Sequence, residues 1–379
     1  MEEMENKVMK PAPFSLLAWA VCDSGPTLLS RSMEFEMSIR LTLFAARLVV
    51  ACAVMSATLD ASASDLVVFT SWGGTTQSAQ QKSWVPGFTQ ATGASVVMDG
   101  PTDYGKFKAM VESGNVSWDV VDVEGDFAYA AQKAGLVEPI DFSVVKKDSL
   151  DPRFVSPTAV GSFYYSFVLG YNKSRYKGAQ PSTWSDLFDT KRFPGKRTLY
   201  KWSAPGVLES ALLADGVAPD KLYPLDLDRA FRKLDTIKGD IVWWSGGAQS
   251  QQLLASGEAP LGLFWNGRVH ALEQTGVPVG ISWNQNLTAA DMLVIPKGAK
   301  HKAEAMKFLA AATSAESQAK FAAETGYAPI NLKSAALMPA AAAQNLPDQH
   351  QTSQINLDMK YWADNREAIG KRWYAWQSK

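Results

Sequence analysis

The sequence predicts an α/β protein of two lobes, each a sheet flanked by helices, with strands crossing between them. Three observations carry this reading. Strand-like and helix-like segments alternate β-α-β-α-β-α from Asp65 to Gly135, the order of a doubly wound lobe. The alternation resumes over residues 197–280. No Pro-, Gly- or Ser-rich linker parts the two stretches, so the chain crosses between lobes instead of joining them as beads. A chain of 379 residues is long enough for two cores.

The elements follow in order. Asp65–Ser71 (DLVVFTS) is an apolar, β-branched run bounded by Gly73-Gly74 and reads as a buried parallel strand. A helix is expected over Gln80–Thr92, stopped by Gly93, with Pro86 as a kink or restart. Ala94–Met98 is a second strand, and Tyr104–Ser113 a helix ended by Gly114. Asp119–Val123 is a third strand, and Phe127–Ala134 a helix closed by Gly135. Phe163–Tyr171 (FYYSFVLGY) is an aromatic strand. Pro181-Ser182-Thr183-Trp184 opens a helix with a capping hydroxyl and Asp186 in its first turn. Later come strands at Leu261–Trp265 and Met292–Pro296, an amphipathic helix at Ala303–Ala312 and a helical, aromatic tail at Leu357–Trp376. The lobes are expected as 65–165 with 290–335, and 166–289 with 336–379.

Residues 1–64 read as a leader. From Met37, Arg40 and Arg47 give a positive region, Leu48–Leu59 an apolar one, and Ala61-Ser62-Ala63 a cleavage site. The apolar stretch is too short for a membrane span, and Met37 or Met33 is the expected true start. Val49-Val50-Ala51-Cys52 is the alternative, a lipobox that would lipidate Cys52. Cleavage near residue 64 removes both cysteines, Cys22 and Cys52, and with them any disulfide or Cys metal site. The leader takes five of 37 basic and seven of 38 acidic residues, leaving 32 and 31, a net charge near +1. That balance offers no footing for nucleic acid or an anionic membrane surface.

Catalytic groupings are missing. His270, His301 and His350 each have a carboxylate near in sequence, but none has a second His or a Cys at metal-ligand spacing. They read as surface or loop residues, with no metal and no cofactor. No nucleophile elbow, Walker A loop or dinucleotide fingerprint occurs.

Aromatics and carboxylates gather instead at strand ends, where open α/β sheets bind ligands. Trp72 follows the first strand, Glu124 and Asp126 the third, Trp244 the run 241–243, and Trp265-Asn266-Gly267-Arg268 the strand at 261; Asp291 adjoins the strand at 292. Aromatic faces beside carboxylates suit an alkyl ammonium ligand. Each position has a structural alternative. Trp72 can pack its own lobe, and Glu124 and Asp126 can be solvated carboxylates or helix N-terminal anions. Of Trp243 and Trp244 only one should face a cleft, because strand side chains alternate. Arg268 can be a surface charge or a lobe-to-lobe bridge, and Asp291 can cap nearby backbone.

Four stretches, PSTWSDLFD at 181, GEAPLGLFWNGR at 257, DMLVIPKGAKHKAEAMKFL at 291 and ETGYAPIN at 324, make the chain resemble the spermidine/putrescine-binding branch of bacterial solute-binding proteins. The resemblance covers nearly all of residues 65–379. It implies a two-lobed periplasmic binding protein of type II, with a hinge of crossing strands that closes over ligand. It implies ligand contacts at Trp72, Trp265, Asp291 and Tyr327, and an inner-membrane ABC permease as partner of a monomer. The chain departs from the pattern in three places. Acidic residues of spermidine binders are absent from Ser203–Gly206, Ala289 replaces an aromatic, and Glu124 and Asp126 stand where serine and tyrosine are expected. The chain is also similar to γ-aminobutyrate-binding proteins, which use an Arg and an Asp as Arg268 and Asp291 stand here. Glu124 and Asp126 favour a diamine ligand; Arg268 and the missing acidic pair favour an ω-amino acid, toward which the balance tips. A secreted enzyme on the same scaffold and a chemoreceptor-linked binding protein are the competing classes.

Overall fold

The computed structural model describes residues 65–343 and 346–379; the expected leader, with its signal peptide and Cys52, lies outside the described residues. β1 (Leu66–Thr70), α1 (Gly74–Thr92), β2 (Ser95–Asp99), α2 (Tyr104–Ser113), β3 (Val120–Glu124) and α3 (Gly125–Lys133) follow the expected alternation. α1 begins six residues before its expected start. Gly73, at φ 76° and ψ −177°, turns the chain straight out of β1 in a conformation that costs a side chain dearly. Pro86 lies inside α1, which continues past it with Ser83, Trp84 and Phe88 buried. α2 begins at Asp103, whose carboxylate accepts the Lys106 N–H, and ends at Gly114 in the left-handed conformation.

β4 (Val155–Ser156) leads into β5 (Ala159–Asn172), longer than the sequence suggested. α4 (Trp184–Phe188) is capped by Thr183 and Asp186 in a reciprocal pair, as the Ser-Thr-Trp opening foretold. β6 (Arg197–Tyr200), α5 (Val207–Ala214), α6 (Leu227–Asp235), β7 (Ile241–Trp244), α7 (Gly247–Ser256), β8 (Leu261–Trp265) and α8 (Asn266–Gln274) form the second alternation. β9 (Val279–Val294) is far longer than the expected strand at its end. α9 (Lys302–Ala312), α10 (Ala315–Thr325), the single turn α11 (Ala340–Ala343), β10 (Ile355–Asn356) and the tail helix α12 (Met359–Gln377) complete the chain.

One hydrogen-bonded order, β2-β1-β3-β9-β5-β8-β6-β7, runs through the whole sheet. β5 and β9 make this possible. The last residues of β9, Asp291–Val294, pair antiparallel with β3, while Phe167–Tyr171 of β5 pair with β8. The two long strands pair with each other throughout, with register shifts between Gly161 and Phe163 and between Phe167 and Leu169. The sheet therefore has two halves with parallel outer strands and a pair of antiparallel strands shared between them. This is the two-lobed α/β fold that the sequence predicts. Buried aromatics fill both halves, Phe69, Trp84 and Phe88 in the first and Trp184, Phe193 and Trp244 in the second.

The three histidines are half-buried and locally engaged, more so than surface residues would be. His301 precedes α9 and holds Asp119 Oδ2 at 2.9 Å through Nδ1, a partner 182 residues away and not the nearby Glu304. His350 stacks on Trp283 at 4.2 Å, and the His270 ring packs beneath Gly326. Among the described residues no three His, Cys, Asp or Glu side chains gather as metal ligands.

Candidate functional site

The two halves of the sheet run in opposite directions, because β9 and β5 stand antiparallel between β3 and β8, so the carboxyl ends of both sets of parallel strands face one another. Glu124 ends β3, Tyr200 β6 and Trp265 β8, Trp72 follows β1, and all four line one cavity of about 320 Å3. That volume lies at the small end of ligand pockets. β9 enters it with Asp291, and antiparallel pairing sets Asp291 directly opposite Glu124 at the end of β3. The opposite residue on β5 is Phe163, which stacks on Tyr327 at 4.9 Å and 12°. Tyr165, two residues along β5 and on the same face, lies edge-on to Trp265. Tyr200, Trp202 and the start of α7 at Gly246-Gly247 close the remaining side.

The electrostatics are unusual at two points. Asp291 is 6% exposed and its Oδ2 accepts the Trp72 indole N–H at 2.9 Å. No cation pairs with it among the described residues. Burial, with Asp122, Glu124 and Asp126 nearby, pushes its carboxyl well above the usual carboxylate range. Arg268, in the first turn of α8, sends Nη1 to Thr75 Oγ1 at 2.8 Å and Nη2 to Thr76 Oγ1 at 3.2 Å. Its Nε is buried without an acceptor, and no carboxylate pairs with it among the described residues. The Trp265 indole N–H, in the same wall, likewise has no partner among the described residues. Such groups are costly to bury unless something meets them. Tyr165 and Tyr327 have their hydroxyls pushed up by burial, and so keep the donor proton.

Of the residues expected from sequence, Trp72, Glu124, Trp265, Arg268, Asp291 and Tyr327 line this cavity together. Asp126 does not. It is fully buried in the first turn of α3, where its Oδ2 holds Arg366 of the tail helix. A ligand-facing role is corrected to a buried ion pair at a helix N-terminus. Trp244 does not either. Its indole donates to Leu263 O at 3.1 Å and its ring backs Trp265 at 4.8 Å and 80°, so it supports the wall from behind. Trp243, the other side of that strand, packs on Trp373 and Trp376 of α12. The strand alternates as expected, yet neither Trp faces the ligand space.

Sequence reasoning missed Phe163, Tyr165, Tyr200 and Trp202. The strand-end rule that found Trp72 also points to Trp202, two residues past β6. Tyr165 needed the register of β5 against β9, which depends on a pairing more than a hundred residues apart. Asp122 was missed as well. It lies beneath the cavity, fully buried, with Oδ2 accepting Gln80 Nε2 at 2.6 Å and Ser71 Oγ at 3.2 Å. Burial raises its carboxyl to about 7, against those hydrogen bonds.

A two-lobed sheet that brings opposed, unpaired charges and aromatic faces into one small cavity defines a protein built to capture a small solute. Residues 84–348 match the family of bacterial extracellular solute-binding proteins. This chain belongs to that family. It is 34% identical over 337 residues to the gamma-aminobutyric acid-binding protein of Pseudomonas aeruginosa, across 86% of this chain and 94% of that one. It is 25% identical over 294 residues to the spermidine/putrescine-binding periplasmic protein 1 of Haemophilus influenzae, across 73% and 79%. Among solved structures, the Atu4243 GABA receptor is 65% identical with a TM-score of 0.80, across 83% of this chain and 98% of that one.

Proposed function

We propose that this chain is the periplasmic substrate-binding protein of an ABC importer, and that its ligand is an ω-amino acid such as γ-aminobutyrate. One observation carries the reading. Among the described residues, the cavity's buried Asp291 has no cation and its Arg268 no anion, a pair complementary to a short zwitterion. The ligand carboxylate meets Arg268 and the Trp265 indole N–H. The ammonium meets Asp291, and the aromatic faces of Tyr165, Tyr327 and Trp72 enclose the methylenes between them. The names of the Pseudomonas relative and of the 65%-identical structure support the same ligand class.

In this reading the two lobes, 65–165 with 290–335 and 166–289 with 336–379, close about β5 and β9. The ligand bridges Asp291 of the first and Arg268 of the second and so favours the closed state. The protein then works as a monomer that delivers solute to an inner-membrane permease, without cofactor and without catalysis. A diamine such as putrescine is the second reading, favoured by Glu124 on the cavity wall; Arg268 opposes it, since a dication has no anionic group to offer a guanidinium.

Isothermal titration of residues 65–379 with γ-aminobutyrate, putrescine and spermidine separates them. Arg268→Ala is expected to weaken γ-aminobutyrate at least about thirtyfold, since losing one partner of a buried charge pair costs about 2 kcal/mol or more. Unchanged affinity in that variant sinks the zwitterion clamp.

A further inference from the structure

Glu124 and Asp291 sit directly opposite each other on β3 and β9, so both carboxylates project from one face of the sheet. Like charges in directly opposed positions repel. Both line the ligand cavity. Two carboxylates side by side, with buried Asp126 close behind, form a site for two cationic centres. A single guanidinium outside the cavity alters that arithmetic. Arg366 of α12 reaches in from the tail helix, giving Nη2 to Glu124 Oε2 at 3.1 Å and Nη1 to Asp126 Oδ2. It is half-buried over the Tyr104 ring, 5.7 Å from the centroid. Tyr104 is itself fixed: its ring stacks on Phe127 at 3.8 Å, and its hydroxyl lies 3.3 Å from Glu124 Oε2.

We propose that Arg366 sets the charge specificity of the site: by holding Glu124 and Asp126 in one fork, it leaves Asp291 as the carboxylate for a single ligand ammonium and disfavours diamines. Arg366 is a positioning residue, for it touches the carboxylates and not the cavity. The inference rests on the zwitterion reading above for the direction of selectivity. Its logic is that of specificity by a built-in repulsive or compensating charge, placed on a different element from the ligand groups. The Arg fork suits this better than Lys would, because its planar geometry engages two carboxylates at once.

The test compares putrescine and γ-aminobutyrate by isothermal titration in the full mature chain. Arg366→Gln alone strands Asp126 as a buried charge and can cost the fold. The informative variant is therefore Arg366→Gln with Asp126→Asn, which removes the guanidinium and its buried partner and leaves Glu124 uncompensated at the cavity. Removing Arg366 together with Asp126 leaves the local net charge unchanged but frees Glu124 from the fork, so putrescine affinity is expected to rise roughly tenfold, the scale of one charge-assisted hydrogen bond gained by the second ammonium. Adding Glu124→Gln to the pair is expected to reverse the gain. Putrescine affinity that falls or stays level in the double variant overturns the proposal, as does a gain that persists after Glu124→Gln. The putrescine readout stands apart from γ-aminobutyrate binding. Wild-type protein that ignores γ-aminobutyrate defeats the zwitterion reading alone, and a putrescine gain traced to Glu124 still supports Arg366 as the group that restrains it.

Discussion

Two carboxyls at the base of the cavity link pH to behaviour. Asp122 is fully buried with Gln80 and Ser71 as partners of Oδ2, and its Oδ1 has no hydrogen-bond partner among the described residues. Its carboxyl titrates at about 7 in the fold against 3.8 as a free side chain. Between those values the folded state holds a proton that the unfolded state has released, so this group loses stability for the protein as pH rises from about 4 to about 7. Asp122→Asn mimics the protonated form. Denaturant titration at pH 5 and pH 8 is expected to show the variant gaining on wild type at the higher pH, by up to a few kcal/mol. A difference that is flat with pH places the Asp122 proton elsewhere. Asp291 adds a linkage in binding. Its carboxyl is raised in the unliganded cavity, and a ligand ammonium needs it ionised. Ammonium binding therefore expels a proton and weakens as pH falls through the raised range. Titration calorimetry in two buffers of different ionisation enthalpy is expected to show proton release, and none in Asp291→Asn. At this scale the sequence pointed to Asp291 and Arg268 because each adjoins a recognisable apolar run. It concealed Asp122, which reads as an alternating residue of DVVDV and gains its meaning only from Gln80 and Ser162 across the fold.

Elements matter here through where they begin. α7 starts at Gly247, and a Cβ there would lie 2.2 Å from Arg268 Nε and 2.6 Å from its Cζ. The guanidinium is the flexible end of a long side chain, so an added methyl displaces it and leaves the helix standing. Gly247→Ala is expected to keep a thermal midpoint near that of wild type while lowering ligand affinity about tenfold or more. An unchanged affinity shows that Arg268 does not hold the ligand from this position. α5 gives a second case, and explains a departure seen in sequence. The segment Ser203–Gly206 lacks the acidic residues of spermidine binders. The acid just beyond it, Glu209, is turned inward to accept Gly206 N, Tyr223 Oη and Trp362 Nε1. It serves the helix start and the docking of α12, and has nothing left for a ligand. Helices and short strands were legible because apolar spacing and glycine stops mark them. The first half of β9 was not: its SWNQN stretch is polar, and Ser282–Gln285 are half-buried or exposed where the strand runs between the two halves of the sheet.

Among the described residues several connections join the two halves of the sheet, and three of them are extensive, two being the crossing strands β5 and β9. The third is α12. Its earlier turns hold α3 and β3 through Lys133–Asp364 and the Arg366 fork. Its later turns hold the second half of the sheet: Trp373 Nε1 donates to Lys201 O, Trp376 Nε1 to Asp235, and Arg372 pairs with Asp228. Arg268 reaches Thr75 and Thr76 from the other half of the sheet, so if the lobes open as proposed, a helix anchored to both halves resists their separation on its own side. Closure then depends on whatever draws the two halves together, and a bridging ligand can shift the equilibrium only by its preference for the closed form. Small-angle scattering is expected to show the radius of gyration of wild-type protein falling when γ-aminobutyrate is added at saturation. Arg268→Ala removes the second lobe's half of the bridge along with its contacts to Thr75 and Thr76. That variant is expected to start wider and to stay wide, even at ligand concentrations that fill the site. Equal compaction in the variant would mean that closure is driven from Asp291 and the aromatic walls alone, with Arg268 choosing the ligand but not moving the lobes.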